Sequence, residues 1–310
     1  MLKERYFKRL GLEAPSNATP TIETLKQIVE AHLNQIPFEN LSQHGAKGVA
    51  SLNIHETAEK VLDRNRGGFC FELNGLLAEL LLELRYDVRR LPVSVYGANT
   101  PIPTHLVLLV RAKMTMRDAV EEVVEEEEER SEEDSFCWFV DVGFGEPAIH
   151  PLKYVFNLEQ TTPDGMTSRF ISRDINNNSN SHFLEMWNEQ EQSWKPRLYW
   201  DDSYDKGVPL EYFADALALV QTSGIFCQKS ITVKLTRTEK LSLAGSVLKR
   251  TGPPRFGGKD GVMVISRTEL DTVDRVRQVL LDEFGIVREE TEDLDLGSSL
   301  EAPASLWADM

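Results

Sequence analysis

Apolar residues in the first part of the chain recur at helical spacing. Five of them in the stretch 21–33 share one face: Ile22, Leu25, Ile28, Val29 and Leu33. This spacing predicts an amphipathic helix, with Thr19 or Thr21 as its capping residue. Residues 55–62 predict a short helix and residues 71–84 a long apolar one. Residues 1–85 are therefore expected to form a mainly helical domain.

From residue 86 onward the pattern changes to short stretches that are rich in β-branched and aromatic residues. Five such stretches follow one another: 88–96, 105–111, 136–142, 182–186 and 195–200. They predict an antiparallel sheet or a small β-barrel over residues 86–205. Further on, residues 211–220 predict a helix, residues 230–235 and 261–266 two strands, and residues 271–284 a last helix. Helices, strands and mixed elements in this order indicate an α+β fold.

The formal charge of −16 is concentrated in two segments of the 310-residue chain. Residues 118–134 hold eleven acids and one base, and residues 288–310 hold seven acids and one base. The first run is expected to form a mobile acidic insertion, assigned to residues 112–134, and the second a poorly ordered tail unless it folds back. The triple asparagine at residues 176–178 predicts an exposed turn. The rest of the chain is about neutral, so a phosphate-bearing coenzyme is compatible with it, and nucleic acid is not expected.

The apolar runs and the cysteines bear on where the protein is found. No apolar run approaches the roughly 20 residues that span a bilayer, and the N-terminus lacks the apolar stretch of a secretory signal. The three cysteines, Cys70, Cys137 and Cys227, have no paired spacing. Reduced thiols are therefore expected, rather than disulfides or a metal site, in a cytoplasmic protein without a membrane partner. The sequence predicts no oligomeric state.

Cys70 lies in the segment Arg-Gly-Gly-Phe-Cys-Phe-Glu-Leu-Asn-Gly, residues 66–75, at the start of the predicted helix 71–84. A helix N-terminus and a neighbouring imidazolium lower the pKa of a thiol, and the first N–H groups of the helix can stabilise an oxyanion. The two glycines are expected to leave the approach to the thiol open. A small buried residue beneath the helix is the alternative interpretation.

A histidine and an aspartate follow Cys70 in the chain. His105 begins a strand in Pro-Thr-His-Leu-Val-Leu, and Asp141 ends one in Val-Asp-Val-Gly-Phe-Gly. A histidine beside the thiol accepts its proton, and a carboxylate fixes the tautomer of the imidazole, which is the logic of papain-like enzymes. By spacing alone, His105 and Asp141 are also compatible with ordinary strand and turn positions.

The three motifs together resemble the signature of the arylamine N-acetyltransferase family, and the chain is similar to its fungal or eukaryotic members. The Ile-Pro-Phe-Glu-Asn segment at residues 36–40 agrees with the family as well. The resemblance covers the first 145 residues well, whereas the later half matches only by length and by the stretch 221–223. It implies a helical domain at residues 1–85, a central antiparallel β-barrel at 86–205, and an α/β lid at 206–287, around a papain-like Cys-His-Asp core.

Carried to this sequence, the resemblance implies that Cys70 is the acyl-thioester nucleophile, His105 its base and Asp141 the orienting carboxylate. No prosthetic group or metal is implied; acyl-CoA is a co-substrate. Five residues are implied to contact the coenzyme: Thr104, Gly143, Gly145, Thr222 and Ser223. Three are implied to contact an arylamine acceptor: Phe38, Phe69 and Phe144. Arg9 and Glu39 are expected to form a buried ion pair near the site.

The sequence leaves the reaction open at two points. The implied reaction is ping-pong acyl transfer to an arylamine, arylhydrazine or arylhydroxylamine, as in xenobiotic detoxification. The donor is acetyl-CoA, malonyl-CoA or propionyl-CoA, and the sequence does not distinguish between them. The alternatives are a cysteine hydrolase with the same triad, acting as an amidase or thioesterase, and a non-catalytic scaffold.

Asp141 lies 36 residues after His105, which is a longer link than compact family members have. The acidic insertion accounts for the excess, and a longer loop is tolerated because loop closure costs little additional entropy.

Overall fold

The computed structural model describes residues 1–15, 19–113, 137–174, 180–252 and 264–296. The first part is helical, as the apolar spacing predicts. Its elements are α1 (Leu2–Leu10), α2 (Ile22–Gln35), the two-residue strand β1 (Phe38–Glu39), α3 (Ile54–Ala58) with a π-helical turn over Glu59–Asp63, and α4 (Cys70–Glu83). Thr21 caps α2 because its hydroxyl oxygen accepts a hydrogen bond from the Thr24 N–H.

Helix α4 runs through the core of this unit. Every residue from Cys70 to Leu81 except Glu79 is buried. A helix that is apolar on all sides needs neighbours on all sides, and α4 packs against α1 and against two strands of the sheet that follows. The sequence therefore buries the residue at the start of α4 between the helical unit and the sheet.

Eight antiparallel strands form the middle of the molecule. In chain order they are β2 (Asp87–Val95), β3 (His105–Arg111), β4 (Cys137–Val140), β5 (Leu152–Lys153), β6 (Gln160–Thr161), β7 (Thr167–Asp174), β8 (Asn180–Asn188) and β9 (Ser193–Asp201). Their order in the sheet is β5-β4-β3-β2-β9-β8-β7-β6. The side chain of Gln160 donates to the Lys153 carbonyl at 2.8 Å and accepts from the Lys153 N–H at 2.6 Å. This pair links the two outer strands, so the sheet is a nearly closed barrel and the α+β prediction is confirmed.

The last part of the described chain contains a second antiparallel sheet. Its elements are α5 (Ala214–Thr222), α6 (Ile225–Gln228), β10 (Ile231–Leu235), β11 (Lys240–Ala244), β12 (Val247–Thr251), β13 (Val264–Glu269) and α7 (Val273–Phe284). The sheet order is β1-β10-β11-β12-β13, with Phe38 opposite Val233. The N-terminal residues 38–39 are thus an edge strand of the C-terminal sheet. Val276, Leu280 and Phe284 of α7 pack on one face of that sheet.

The structure goes beyond the sequence predictions in two places within this region. Strands β11 and β12 were not predicted, because their many lysine, serine and arginine positions weaken the β pattern. Residues 288–296 are not poorly ordered: Thr291, Leu294 and Leu296 are buried. For residues 288–296 the alternative that the tail folds back is the one observed, because the leucines of this acidic segment pack on an apolar surface. The acidic run 118–134, the turn at 176–178 and residues 297–310 lie outside the described residues.

Across the described residues, no helix combines the length and the apolar composition that crossing a membrane requires.

Candidate active site

Cys70 is the first residue of α4, and its side chain is only 6% exposed as part of the core. The carboxylate of Glu72 accepts a hydrogen bond from the Phe69 N–H at 3.0 Å, which caps the start of the helix. Glu72 also forms a buried ion pair with Lys60, at 2.7 Å. Burial raises the pKa of Glu72, whereas the charge of Lys60 opposes this rise. The helix end beneath the thiol is therefore fixed by two charged groups, Lys60 and Glu72, whose pairing no local motif predicts.

His105 and Asp141 meet Cys70 from the barrel side. His105 begins β3, and Asp141 follows directly after β4, its hydrogen-bonded neighbour. The His105 Nε2 atom lies 2.7 Å from Asp141 Oδ2, and both side chains are buried. The Cys70 thiol lies next to this pair and is 3.8 Å from the carbonyl oxygen of Thr104, the residue before His105. The structure thus brings together all three residues that the motifs single out.

The charges around His105 change its protonation. Burial by itself would lower the pKa of His105, but the charges of Asp141 and Cys70, and hydrogen bonds to both, outweigh it and raise the pKa to about 10. Since Nε2 bonds to Asp141, the other ring nitrogen, Nδ1, is left for the thiol. An imidazole held this way is oriented by a carboxylate on one side and coupled to sulfur on the other.

Asn74 holds the carboxylate of this trio, a role that the sequence analysis missed. Its side-chain N–H₂ donates to Asp141 Oδ1 at 2.9 Å and to the Leu106 carbonyl at 2.7 Å. Its Oδ1 accepts from the Val142 N–H at 2.9 Å. Asn74 lies one helical turn after Cys70, so the same helix carries the thiol and the group that orients the aspartate.

Gly143 lies directly against Cys70. A Cβ atom at residue 143 would fall 2.5 Å from the Cys70 Cα. The Gly143 N–H donates to Asp141 Oδ1 at 2.8 Å. The resemblance implied that this N–H contacts the coenzyme; in the structure it is used by Asp141, and the glycine is required for close packing on the helix.

The two glycines before Cys70 are also packed, and do not open a path to the thiol. A Cβ atom at Gly67 would fall 1.9 Å from the Pro37 carbonyl oxygen, and one at Gly68 would fall 2.6 Å from Glu72 Oε2. The expectation that these glycines keep the approach open is wrong, because neighbouring backbone and carboxylate groups fill the space.

Glu39 pairs with Arg66, and not with Arg9 as the resemblance implied. Arg66 Nη2 lies 2.9 Å from Glu39 Oε1, and both side chains are fully buried. The same oxygen accepts from the Gly67 N–H at 3.2 Å. Arg9 instead donates from Nε to the Val61 carbonyl at 3.1 Å. The predicted pair is wrong because the Glu39 carboxylate is bound by Arg66, which belongs to the turn before Cys70.

Aromatic rings surround the position of the thiol. Phe38 and Phe69 have ring centroids 6.3 Å apart, and Phe226 of α6 lies 5.9 Å from the first and 5.3 Å from the second. Phe144 lies 5.2 Å from the His105 ring on the other side. Phe38, Phe69 and Phe144 were expected at the site, whereas Phe226 was not, since nothing in its local sequence marks its approach to residues so distant in the chain.

Of the remaining residues assigned to the coenzyme, Thr104 contacts the thiol through its carbonyl oxygen. Thr104 precedes His105, and Gly145, in the left-handed region at φ 78°, lies beside Phe38. Thr222 and Ser223 are exposed at the end of α5, and their hydroxyls donate to carbonyls of the same helix at 2.8 and 2.9 Å. Over the residues that the structure describes, no group of three or more His, Cys, Asp or Glu side chains could hold a metal ion.

A helical unit that carries a thiol, and a barrel that carries an imidazole and a carboxylate, define a papain-like α+β protein with a Cys-His-Asp centre. A family model described as N-acetyltransferase matches residues 21–116 and 124–292, most of the chain. The chain belongs to the arylamine N-acetyltransferase family.

Individual relatives support this membership. An arylamine N-acetyltransferase of Mycolicibacterium smegmatis is 42% identical over 110 residues, which are 34% of this chain and 39% of the relative. A Salmonella typhimurium protein named arylamine N-acetyltransferase / N-hydroxyarylamine O-acetyltransferase is 36% identical over 166 residues, 52% of this chain and 50% of the relative. The chain thus spans half or less of these two relatives. The structure of Mycobacterium marinum arylamine N-acetyltransferase in complex with CoA has a TM-score of 0.70 and 26% identity, covering 96% of this chain and 97% of that one.

Proposed function

We propose that the protein transfers an acyl group from acyl-CoA, through a thioester on Cys70, to the nitrogen of an aromatic amine. The observation that carries this proposal is the coupling of His105 to both Asp141, at 2.7 Å, and Cys70, at the start of α4. The names of the relatives and the CoA complex of the Mycobacterium marinum protein support the same donor and acceptor. An arylamine, arylhydrazine or arylhydroxylamine fits such a site because it is a weak base, so its nitrogen arrives neutral and nucleophilic.

The first half of the reaction forms the acyl-enzyme. The Cys70 proton passes to His105 before the donor reacts, because the pKa of His105 is raised. The sulfur then attacks the thioester carbonyl carbon, whose electrons move to the oxygen. N–H groups at the start of α4 stabilise this oxyanion. When the carbonyl reforms, the bond from carbon to the coenzyme sulfur breaks, and His105 returns the proton so that the coenzyme leaves as a thiol.

The second half transfers the acyl group. The amine nitrogen attacks the acyl-cysteine carbonyl, and His105 accepts the proton that the nitrogen loses. The carbon–sulfur bond to Cys70 then breaks, and His105 returns that proton to the sulfur. Asp141 keeps the ring in one tautomer throughout, because it is itself held by Asn74 and Gly143.

In this proposal the acceptor and the coenzyme bind on different sides of the thiol. Phe38, Phe69 and Phe226 offer an apolar surface to the acceptor ring, with Phe144 on the side of His105. Thr104 and Gly145 remain candidate contacts for the coenzyme, and Thr222 and Ser223 offer exposed groups at the end of α5. The donor is acetyl, propionyl or malonyl-CoA, and detoxification of foreign aromatic amines is the proposed role.

We propose a cytoplasmic location as well. Cys70, Cys137 and Cys227 are all free thiols, and free thiols persist in a reducing compartment.

The test is intact-mass spectrometry of the protein mixed with acetyl-, propionyl- or malonyl-CoA in the absence of an amine. The proposal expects one acyl group per chain from the preferred donor, and its rapid loss when an aniline-type amine is added. The Cys70→Ala variant, which we expect to fold, serves as the control and should acquire none. Acylation of that variant at the wild-type rate, or loss of the acyl group to water as fast as to the amine, would contradict acyl transfer through Cys70.

A further inference from the structure

The end of the described chain packs against the turn that precedes the active site. Residues 288–296, here called the C-terminal strap, lie on residues 39–47, the strap-bound turn. Leu294 and Leu296 of the strap share an apolar cluster with Leu41 and Ala46 of the turn. None of these four side chains is more than 5% exposed. The strap is therefore an integral part of the core around the turn.

Backbone contacts fix the strap in register with the turn. The Lys47 N–H donates to the Glu290 carbonyl at 2.9 Å, and the Asp295 N–H donates to the His44 carbonyl at 2.8 Å. Between them, Gly45 adopts a left-handed conformation at φ 87°, and a Cβ atom there would fall 2.1 Å from the Asp293 carbonyl oxygen. Only glycine allows this approach.

The strap-bound turn also holds the segment before Cys70. Arg66 donates from Nη1 to the Lys47 carbonyl at 2.6 Å and from Nη2 to the Ser42 hydroxyl at 3.2 Å. Through Glu39, the turn also holds the Gly67 N–H. A shift of the turn therefore moves the two residues that lie three and four positions before the thiol.

Glu290 adds a charge to this arrangement. Its carboxylate is 9% exposed and lies 3.5 Å from Arg66 Nη1 and 3.7 Å from Arg64 Nη1. Two carboxylates, Glu39 and Glu290, thus face two guanidinium groups in a largely buried cluster. Because Arg66 is fully buried, its position depends on these partners and not on water.

The turn also reaches the aromatic side of the site. The His44 ring nitrogen Nε2 lies 3.0 Å from the Phe226 carbonyl oxygen, and Asn40 donates from Nδ2 to the same oxygen at 2.9 Å. Phe226 is the ring that packs on Phe38 and Phe69. The strap therefore supports both the thiol segment and the ring beside it through one turn.

We propose that Glu290 and the C-terminal strap position Cys70, with Glu290 acting through Arg66 as a positioning residue. The inference rests on the proposed function in that Cys70 is taken as the nucleophile. Its consequence is that the reactivity of the thiol depends on a residue 220 positions further along the chain, outside every motif of the sequence.

The test compares Glu290→Gln with Glu292→Gln in the full chain. Both substitutions remove one negative charge from the strap, but the Glu292 side chain is 62% exposed and its carboxylate pairs with the Lys47 ammonium, at 3.1 Å. The readout is the rate of Cys70 alkylation by iodoacetamide at pH 7, measured by peptide mass, together with kcat and KM for acyl transfer. Glu290→Gln should lower the alkylation rate and kcat about fivefold to tenfold and leave KM for the donor unchanged. Glu292→Gln should change none of them.

The sign of the effect separates positioning from electrostatics. Loss of a nearby negative charge favours a thiolate, so a purely electrostatic role would make Glu290→Gln react faster. A faster reaction, or a lower melting temperature without any change in the alkylation rate, would overturn the inference. Slower alkylation in a protein that transfers no acyl group would refute the proposed function and leave the role of Glu290 in place.

A second pair of variants tests the strap itself. Gly45→Ala introduces the clash with Asp293, whereas Gly11→Ala has a similar left-handed backbone, at φ 68°, and no neighbour within 4 Å. Gly45→Ala should slow the alkylation of Cys70, and Gly11→Ala should leave it at the wild-type rate. Equal rates for the two variants would overturn the role of the strap.

Discussion

Gly143 and Cys70 are in backbone contact, since a Cβ atom on the first would lie 2.5 Å from the Cα of the second. The loop after Asp141 therefore touches the helix that begins at Cys70, and no side chain separates them. This contact sets the distance between the barrel and the helical unit at the point where thiol, imidazole and carboxylate meet. The geometry of the site depends on a position that has no side chain.

Gly143→Ala should lower acyl transfer about tenfold or more, because the added methyl group pushes the Asp141 loop away from Cys70. Steady-state rates with an acyl-CoA and an aniline-type amine measure the effect. Gly75→Ala, on the helix that begins at Cys70, is the matched control. Its Cβ atom would lie 3.4 Å from a Leu210 methyl group, which is close to an ordinary contact distance. Wild-type rates for Gly143→Ala would contradict this prediction, because they would show that the Asp141 loop can shift without lowering the rate of acyl transfer.

Asn74→Ala should destabilise the fold by about 2 to 4 kcal/mol and lower kcat. The substitution leaves the Val142 N–H and the Leu106 carbonyl without their partner and frees Asp141 to rotate. Urea unfolding and acyl-transfer rates report the two effects. Asn53→Ala, which removes an exposed helix cap, should cost about 1 kcal/mol and leave kcat unchanged. Comparable losses of kcat in both variants would contradict a specific role for Asn74.

His105 should remain an imidazolium well above neutral pH. Its pKa is raised from 6.5 to about 10, so the proton bound by the folded protein stabilises it fully below about pH 6.5, and this contribution is lost as the pH rises towards 10. Asp141→Asn removes the charge that favours the cation and should lower the pKa of His105. A histidine NMR titration measures the shift. A pKa below 7 in the wild-type protein would contradict the coupling to Asp141 and Cys70.

Arg66→Met should destabilise the fold by about 3 to 5 kcal/mol, because it leaves the buried Glu39 carboxylate without its cation. Arg9→Met should cost about 1 kcal/mol, since Arg9 loses a hydrogen bond to the Val61 carbonyl and no carboxylate partner. Double-mutant cycles with Glu39→Gln, read by urea unfolding, should show strong coupling for Arg66 and little for Arg9. The reverse order would restore the pair expected from the resemblance.

Cys70 should react with iodoacetamide about tenfold or more faster than the other two cysteines at pH 7. Burial raises the pKa of Cys137 to about 11 and also raises the pKa of Cys227, whereas Cys70 has an imidazole beside it. Peptide mass spectrometry after short exposure gives the order. First modification of Cys137 or Cys227 would favour the scaffold alternative.

Local sequence was sufficient to predict the elements that carry the site. The apolar spacing of α2 and α4 and the β-branched run of β3 describe structures that form from neighbouring residues. The ends of β3 agree with the prediction, and those of α2 and α4 differ from it by one or two positions. Cys70, His105 and Asp141 lie at the ends of such elements, where turns and caps leave recognisable residues. Their positions could therefore be predicted from short motifs.

Contacts between distant segments could not be predicted in the same way. The pairing of Glu39 with Arg9 was taken from the family resemblance, but the observed partner, Arg66, depends on how the turn before Cys70 is placed. The approach of Phe226 and Glu290 depends on the C-terminal sheet and the strap, whose sequences carry no sign of what they contact. The type of a charged or aromatic residue limits which groups it can bind, and the tertiary fold determines which of these groups it contacts.

The two-residue strand β1 has a consequence for how the protein is made. Phe38 and Glu39 contact Gly68 through backbone hydrogen bonding, but their antiparallel partners are Val233 and Thr232 of β10, which leave the ribosome almost two hundred residues later. Non-local pairings of this kind form late because the intervening chain must first be closed into a loop. We therefore expect the early-forming helices to carry Cys70 without its final neighbours. The nucleophile and the substrate pocket should then reach their final arrangement together, when synthesis is nearly finished.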